Sequence, residues 1–220
     1  MRVTARSIGV LLGLSLLTGV VAAQGSGFLG ETQSKLRETR SPTGAVLNRW
    51  ISPDVKPDTY EFVLLQKVVF YPEPQGTDQL STTTLNEISA YMDEALRREF
   101  GGVVKLASEP GPKTLRFRPA ITAAAVKGEA LKPYQYIPMA FVVAKASGKD
   151  TKEAKLAVEF DAQDVETSQV VAAGAREGTG VELKSANEKL TVAHFKPLID
   201  TWAKDLRATV ESTRIVKPAR

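Results

Sequence analysis

Lys113-Thr-Leu-Arg-Phe-Arg-Pro-Ala-Ile-Thr-Ala-Ala-Ala-Val126 is the stretch from which the rest of the chain is read. Leu115, Phe117, Ile121, Ala123 and Ala125 share one parity, and Thr114, Arg116, Arg118, Ala120 and Thr122 share the other. That period of two is the signature of a half-buried strand, with one face toward a core and the other carrying two arginines. Downstream, Leu156, Val158 and Phe160 alternate with Lys155, Glu159 and Asp161 in a second strand, Ala154–Gln163. Asp164–Gln169 then turns into a third, Val170–Arg176, whose alanines and Gly174 suit a close neighbour.

Upstream, Tyr60–Tyr71 is rich in β-branched and aromatic residues on both parities, which predicts a strand near the middle of a sheet. Leu80–Phe100 places Leu85, Ile88, Met92, Leu96 and Phe100 at helical spacing, with Ser81 or Thr84 as cap and Gly101-Gly102 as stop. Val103–Ala107 is a short strand joined by Glu109-Pro-Gly-Pro112 to the opening stretch, and short loops of this kind predict an antiparallel hairpin. Met139–Ala146 reads as a further strand after a loop at Lys127–Pro138, and Gly178–Leu190 as another loop. Phe195, Leu198, Ile199, Trp202, Leu206 and Val210 mark one face of a second helix, with Pro197 in its first turn and Trp202 as a core anchor.

The expected fold is therefore α/β of the α+β kind, a two-layer sandwich. Its sheet is mostly antiparallel, of about five to six strands, with two helices on one face. The domain spans 58–213, between an extended arm at 24–57 and a basic tail at 214–220 expected to fray. Glycines and prolines interrupt the arm, so it reads as a loop with apolar anchors, and Trp50 makes it a candidate cover for the helix-free face.

The chain opens with Arg2 and Arg6, the apolar run Ile8–Val21 and the small-residue pattern Val21-Ala22-Ala23-Gln24. This layout predicts an export leader at 1–23, cleaved after Ala23. The run is shorter than the roughly 20 residues that span a bilayer, so no transmembrane segment is expected in the mature chain. The expected destination is the periplasm or the periplasmic side of the outer membrane. The sequence has no cysteine, hence no disulfide, no thiol chemistry and no thiol to carry a lipid at the cleavage site. Removing the leader takes two arginines from 29 basic residues, leaving 27 against 25 acidic ones, a net charge of +2. That balance argues against a nucleic-acid partner.

Five pieces of the chain carry a resemblance to a known family. They are Ser26-Gly-Phe-Leu29, the Tyr60 strand, Gly111–Thr122, Glu159-Phe-Asp161 followed by Asp164-Val-Glu-Thr167, and Trp202-Ala203 with Leu206. Together they resemble domain of unknown function 3313 (DUF3313), bacterial exported proteins many of which look like outer-membrane lipoproteins. Ala23-Gln24 stands where a lipobox cysteine would be, a departure from that pattern. The resemblance implies an envelope location and offers no activity and no catalytic residues.

Arg116 and Arg118 share a face, and Glu159 and Asp161 share a parity on a strand of the same meander. One reading is a binding strip, since guanidinium forks recognise carboxylate or phosphate bidentately. The other is cross-strand ion pairing on a solvated sheet face. Asp161, Asp164 and Glu166 cluster near a turn, but the spacing of a calcium loop is absent and no metal is expected. His194 is the only histidine and is placed at the surface or first turn of the last helix. No nucleophile elbow, Walker loop or dinucleotide fingerprint occurs, so no cofactor is expected. The sequence therefore points to an exported, non-enzymatic binding or assembly module. Its expected partner is an envelope protein or an anionic envelope component, with the oligomeric state open. The alternative is a periplasmic hydrolase using carboxylates such as Glu159 and Asp161.

Overall fold

The computed structural model describes residues 26–126, 153–185 and 188–219. The expected leader and the expected strand Met139–Ala146 lie outside the described residues. Eight strands form one mixed sheet: β1 (Arg37–Arg40), β2 (Val46–Ile51), β3 (Phe62–Leu65), β4 (Val69–Phe70), β5 (Lys105–Leu106), β6 (Thr114–Val126), β7 (Glu153–Asp164) and β8 (Val170–Glu182). Their order is β1-β2-β8-β7-β6-β3-β5, with β4 also on β6. The two-layer α/β arrangement is as expected; the strand count is higher.

Helices α1 (Thr82–Gly101) and α2 (Lys196–Thr213) pack side by side on one face of the sheet. Ser81 caps α1, its Oγ accepting from the Thr84 amide at 3.1 Å and satisfying one of the orphan donors of the first turn. The stripe Leu85, Ile88, Met92, Leu96 and Phe100 is buried against the sheet, which meets it with Leu115, Phe117, Ile121 and Leu156. Each such side chain contributes about 1.5–3 kcal/mol of burial. From α2, Ile199, Trp202 and Ala203 enter the same core. Asp200 ties the helices together at the surface, accepting from Tyr91 Oη at 2.9 Å and Arg98 Nη2 at 3.0 Å.

Five expectations are corrected. Lys105–Leu106 and β6 do not form an antiparallel hairpin: β3 lies between them and all three run parallel, because the crossover through α1 returns the chain to the end from which β3 set out. The Tyr60–Tyr71 run is two short strands, β3 and β4, both parallel to β6. The arm is not simply loop: β1 and β2 form a hairpin that extends the sheet beyond β8. Gly178–Glu182 belongs to β8, not to a loop. The tail is held, with Val216 bridging to Tyr60 and Pro218 to Val104.

Glycine explains why β8 continues. A Cβ at Gly178 would stand 2.8 Å from the Trp202 ring, and one at Gly180 would stand 2.1 Å from the His194 carbonyl oxygen. These positions let the start of the last helical region come down onto the sheet, which a side chain would prevent. A β-bulge between Ile121 and Ala123 reverses the alternation of β6. Ala123 therefore faces Ala157, on the side opposite Phe117 and Ile121, and not with them as the simple period of two predicts.

Candidate functional site

Residues paired across adjacent strands share a face, so the register identifies what covers the side of the sheet away from the helices. Arg116 lies opposite Gln163, Arg118 opposite Asp161, Ala120 opposite Glu159 and Ala123 opposite Ala157. Across β8 this face continues with Ala173 beside Asp161 and Ala175 beside Glu159. A carboxylate thus sits in a bed of alanines, all of them buried. The segment from Ser26 to Leu36, with a 3-10 turn at Gly30–Lys35, lies over this bed: Leu29 and Thr32 are buried, and Lys35 Nζ stands 4.6 Å from the centre of the Trp50 ring. The arm does supply a cover, through its first eleven described residues.

Glu159 is 0% exposed. Two of its donors come from Ser26, whose amide donates to Oε1 at 3.3 Å and whose hydroxyl donates to Oε2 at 2.8 Å, and the Leu29 backbone N–H is a further donor. Ser26 Oγ in turn accepts from the Phe28 amide at 3.0 Å, so one serine both closes the carboxyl group and starts the following turn. Burial pushes the Glu159 carboxyl above the usual carboxylate range, with the hydrogen bonds from Ser26 and from the Leu29 backbone opposing that rise. No arginine among the described residues pairs with it, contrary to the cross-strand pairing expected for this residue, because Ala120 stands opposite it and Arg118 and Arg116 lie two and four residues earlier on β6.

Arg118 and Asp161 do pair. Nε donates to Oδ1 at 2.8 Å and Nη2 to Oδ2, a bidentate fork on a buried carboxylate. The hydrogen bonds to Asp161 raise the proton affinity of the guanidinium against the effect of burial. With the oxygen of its amide turned toward this pair, Gln163 accepts from Arg118 Nη2 at 2.7 Å. The Arg118 guanidinium also lies 5.5 Å from the Phe28 ring centre, and Phe28 meets Tyr71 edge to face at 5.6 Å. Arg118 keeps 38% of its side chain exposed, Tyr71 is 42% exposed and Val69 47%. Arg116, two residues before Arg118 on the same face, makes no hydrogen bond or ion pair with any of the described residues.

The other residues singled out in the sequence lie elsewhere. Asp164 has the opposite parity to Asp161, so the two project from opposite faces of β7. Asp164 Oδ1 accepts from the amides of Glu166 and Thr167 at 2.9 and 2.8 Å, and Oδ2 from Tyr60 Oη at 3.0 Å. Burial raises its pKa, but these donors outweigh it and the result is a lowered value. The carboxylate serves its turn, and Asp161, Asp164 and Glu166 do not converge. His194 stands at the end of the 3-10 turn Val192–His194, where it completes a capping box with Thr191, and its Nε2 is 3.3 Å from Glu188 Oε1.

Two sites were missed in the sequence. Ser26 is 133 positions from Glu159, too far for spacing to connect them. The hint was available: an acid whose cross-strand neighbours are all alanines faces a tightly covered surface. The second is the Arg176–Asp205 pair, where Arg176 Nη1 donates to Asp205 Oδ2 at 2.8 Å beneath α2.

The pieces Ser26–Leu29, Glu159–Asp161 and Gly111–Thr122 thus meet in one place, and residues 24–206 match the family described as a protein of unknown function, DUF3313. The chain belongs to the DUF3313 family. It is 30% identical over 206 residues to the uncharacterized lipoprotein YdcL of Escherichia coli (strain K12), covering 90% of this chain and 92% of that one. Among solved structures, a PelC dodecamer from Paraburkholderia phytofirmans is similar at 15% identity and a TM-score of 0.39, covering 78% of this chain and 96% of that chain. Protein XCC0632 from Xanthomonas campestris is similar at 10% identity and a TM-score of 0.39, covering 75% and 91%. In this DUF3313 chain no helix among the described residues is long and apolar enough to cross a membrane.

Proposed function

We propose that this DUF3313 protein is exported and works in the cell envelope as a non-enzymatic binding or assembly module, docking an envelope protein or an anionic envelope component on the strip formed by Arg116 and Arg118. The observation that carries this reading is Arg116: an arginine with no partner among the described residues, fixed on a strand beside a second, bidentate-anchored arginine. Exposed Tyr71 and Val69 border the strip. Arginine and tyrosine are enriched where interfaces concentrate their binding energy. A free guanidinium next to an already satisfied one offers a fork for a carboxylate or phosphate oxygen without disturbing the fold. Export is supported by the leader pattern at 1–23 and by the description of YdcL as a lipoprotein; the lipid itself is not carried over, since the present sequence has no cysteine. Against the hydrolase alternative stand the partners of its two carboxylates. Glu159 is sealed under Ser26, and Asp161 is spent on Arg118.

The test is site-specific photocrosslinking from Tyr71 in intact cells, comparing wild type with Arg116→Glu. Because Arg116 supports no internal contact, the substitution should leave stability within about 0.5 kcal/mol. The expected result is a discrete adduct in the wild type that is lost in the variant. Recovery of monomer alone, or an adduct indifferent to the charge reversal, overturns the reading.

A further inference from the structure

β1 stands first in the strand order, and no strand among the described residues pairs with its outer side. The ladder fixes which groups that side presents. At the hairpin end, Ser41 N–H donates to the Ala45 carbonyl at 2.8 Å, and on the other side of β2, Ser52 N–H donates to the Val171 carbonyl at 2.8 Å. Antiparallel ladders alternate hydrogen-bonded and non-hydrogen-bonded pairs. Arg37 and Thr39 therefore turn their N–H and C=O groups toward β2, and Glu38 and Arg40 turn theirs outward. Glu38 and Arg40 are also exposed side chains. That of Glu38 makes no hydrogen bond or ion pair with any of the described residues, and that of Arg40 uses Nη1 on the Gly44 carbonyl at 3.0 Å.

Charges on a sheet edge usually guard it, because in most registers a second copy would set like charges against each other. Here the registers that match outward groups differ sharply. Antiparallel pairing centred on Glu38 sets two glutamates opposite one another. Centred on Arg40, it sets two arginines opposite one another and brings Glu38 to the partner's Pro42, which has no N–H to offer. Centred on Thr39, it puts Glu38 against the partner's Arg40 on both sides of the axis. Each of these pairs exchanges both of its main-chain hydrogen bonds, and the two threonines meet in the close, non-hydrogen-bonded position. Opposite charges and paired threonines are both favourable cross-strand neighbours. The edge is thus complementary to itself in that register and repels itself in its neighbours.

We propose that β1 is a homodimer interface: two copies of this chain pair edge to edge about a two-fold axis at Thr39, each Glu38 on the partner's Arg40, and the sheet runs continuously through both. The interface does not depend on the Arg116 strip, but it bears on how the strip is presented. The register runs from Glu38 to Asn48, from Asn48 to Ala175 and from Ala175 to Glu159, so Glu38 lies on the face that carries the strip. In a continuous antiparallel sheet both copies turn that face the same way. Their two strips then meet one surface together, which raises avidity without a new contact. A four-residue edge buries less than the roughly 1,200 Å² of a standard interface, so the dimer is weak, populated near about 100 μM protein and dissociated near about 1 μM.

The sequence has no cysteine, so an introduced thiol is unique. Thr39→Cys in the full-length protein brings two thiols to a non-hydrogen-bonded pair whose Cα atoms stand about 4.5 Å apart, within disulfide reach. Val46→Cys, exposed on β2 and one strand further from the axis, is the control. At about 100 μM protein under mild air oxidation, Thr39→Cys should form the linked dimer at least about tenfold faster than Val46→Cys. Adding Glu38→Arg sets arginine against the partner's Arg40 in both pairs and should slow the linkage about fivefold or more. Adding Glu38→Arg and Arg40→Glu together exchanges the two charges and should restore it, a rescue that a role confined to one copy of β1 would not give. Equal rates for the two cysteines, a reversal without effect, or an exchange that fails to restore the rate each overturns the proposal. So does a wild-type protein that sediments as a monomer at about 100 μM, a measurement that needs no variant.

Discussion

Ser26→Ala isolates the contact that holds the N-terminal segment to the sheet. The substitution deletes the hydroxyl that donates to Glu159 Oε2 at 2.8 Å and leaves the amide that donates to Oε1 at 3.3 Å. Removing one partner of a buried polar group costs about 1–3 kcal/mol, and here the acceptor is fully buried. At about 1.4 kcal/mol per factor of ten, the opening equilibrium of the segment should rise about 5- to 150-fold near neutral pH. A thermal melt is the wrong assay, because the segment lies on one face and can detach while the sheet and helices remain folded. Amide hydrogen exchange resolves it. The reporters are Gly30, whose N–H is bonded to the Gly27 carbonyl at 3.2 Å, and Thr32, bonded to that of Leu29 at 3.1 Å. Neither bond involves the deleted hydroxyl. Both amides should exchange faster in the variant by that factor, while Ile88 in the core of α1 keeps its wild-type rate. Exchange at Thr32 unchanged within about threefold would show that the segment is held by Leu29 and Thr32 packing and not by Ser26, and the reasoning fails.

Two further outcomes follow from the same geometry. Glu159 has its pKa raised on folding, so the stability it contributes is fully present below the unfolded value of about 4.3 and is lost as pH rises through the folded one. Glu159→Gln does not titrate, so the melting temperature of the variant should gain on that of the wild type as pH rises above about 4.3; a difference that stays flat with rising pH refutes the buried-carboxyl assignment. Gly180→Ala would drive a Cβ into the His194 carbonyl, a backbone atom that cannot swing aside, and should cost more than about 2 kcal/mol, lowering the melting temperature by at least about 4 °C. Gly101→Ala, with only Leu106 at 3.8 Å, is the control and should melt within about 2 °C of wild type.

What could be read in the sequence was whatever is encoded within a single element. The stripe of α1, the alternation of β7, and the shared face of Arg116 and Arg118 each follow from spacing and are present, while the cap of α1 is Ser81, the alternative to the Thr84–Glu87 spacing. What escaped was imposed by partners distant in the chain. β1 and β2, Arg-Glu-Thr-Arg and Val-Leu-Asn-Arg-Trp-Ile, carry no clean alternation and are strands because β8 offers them an edge. Gly178 and Gly180 read as loop residues because glycine weakens a strand on its own, yet here the missing side chains admit Trp202 and His194. The parity of Ala123 was lost to a bulge, a one-residue event that no hydrophobic pattern announces. At the site itself, pairing of the two arginines with Glu159 and Asp161 was one of two readings, and only Arg118 with Asp161 is present. The fate of Glu159 was not foreseen, because its partner lies in a stretch that shows no periodic signal.

The Ser26 segment and the arginine strip are a single arrangement seen from two sides. The ring of Phe28, two residues after the serine that seals Glu159, lies over the guanidinium that binds Asp161. Closing the buried acid therefore also fixes Arg118 from above, while Asp161 fixes it from the side. Such a guanidinium is held at both its charge and its face, and it has little freedom left to reach out to a ligand. Arg116 has neither constraint. On the proposed reading of this strip, Arg118 is the rigid wall and Arg116 the reaching group, a division of labour that two equivalent arginines on a strand would not have. The carboxylates that looked like partners for a substrate are instead the anchors that create this asymmetry: Asp161 by holding one arginine, Glu159 by holding the segment that covers it.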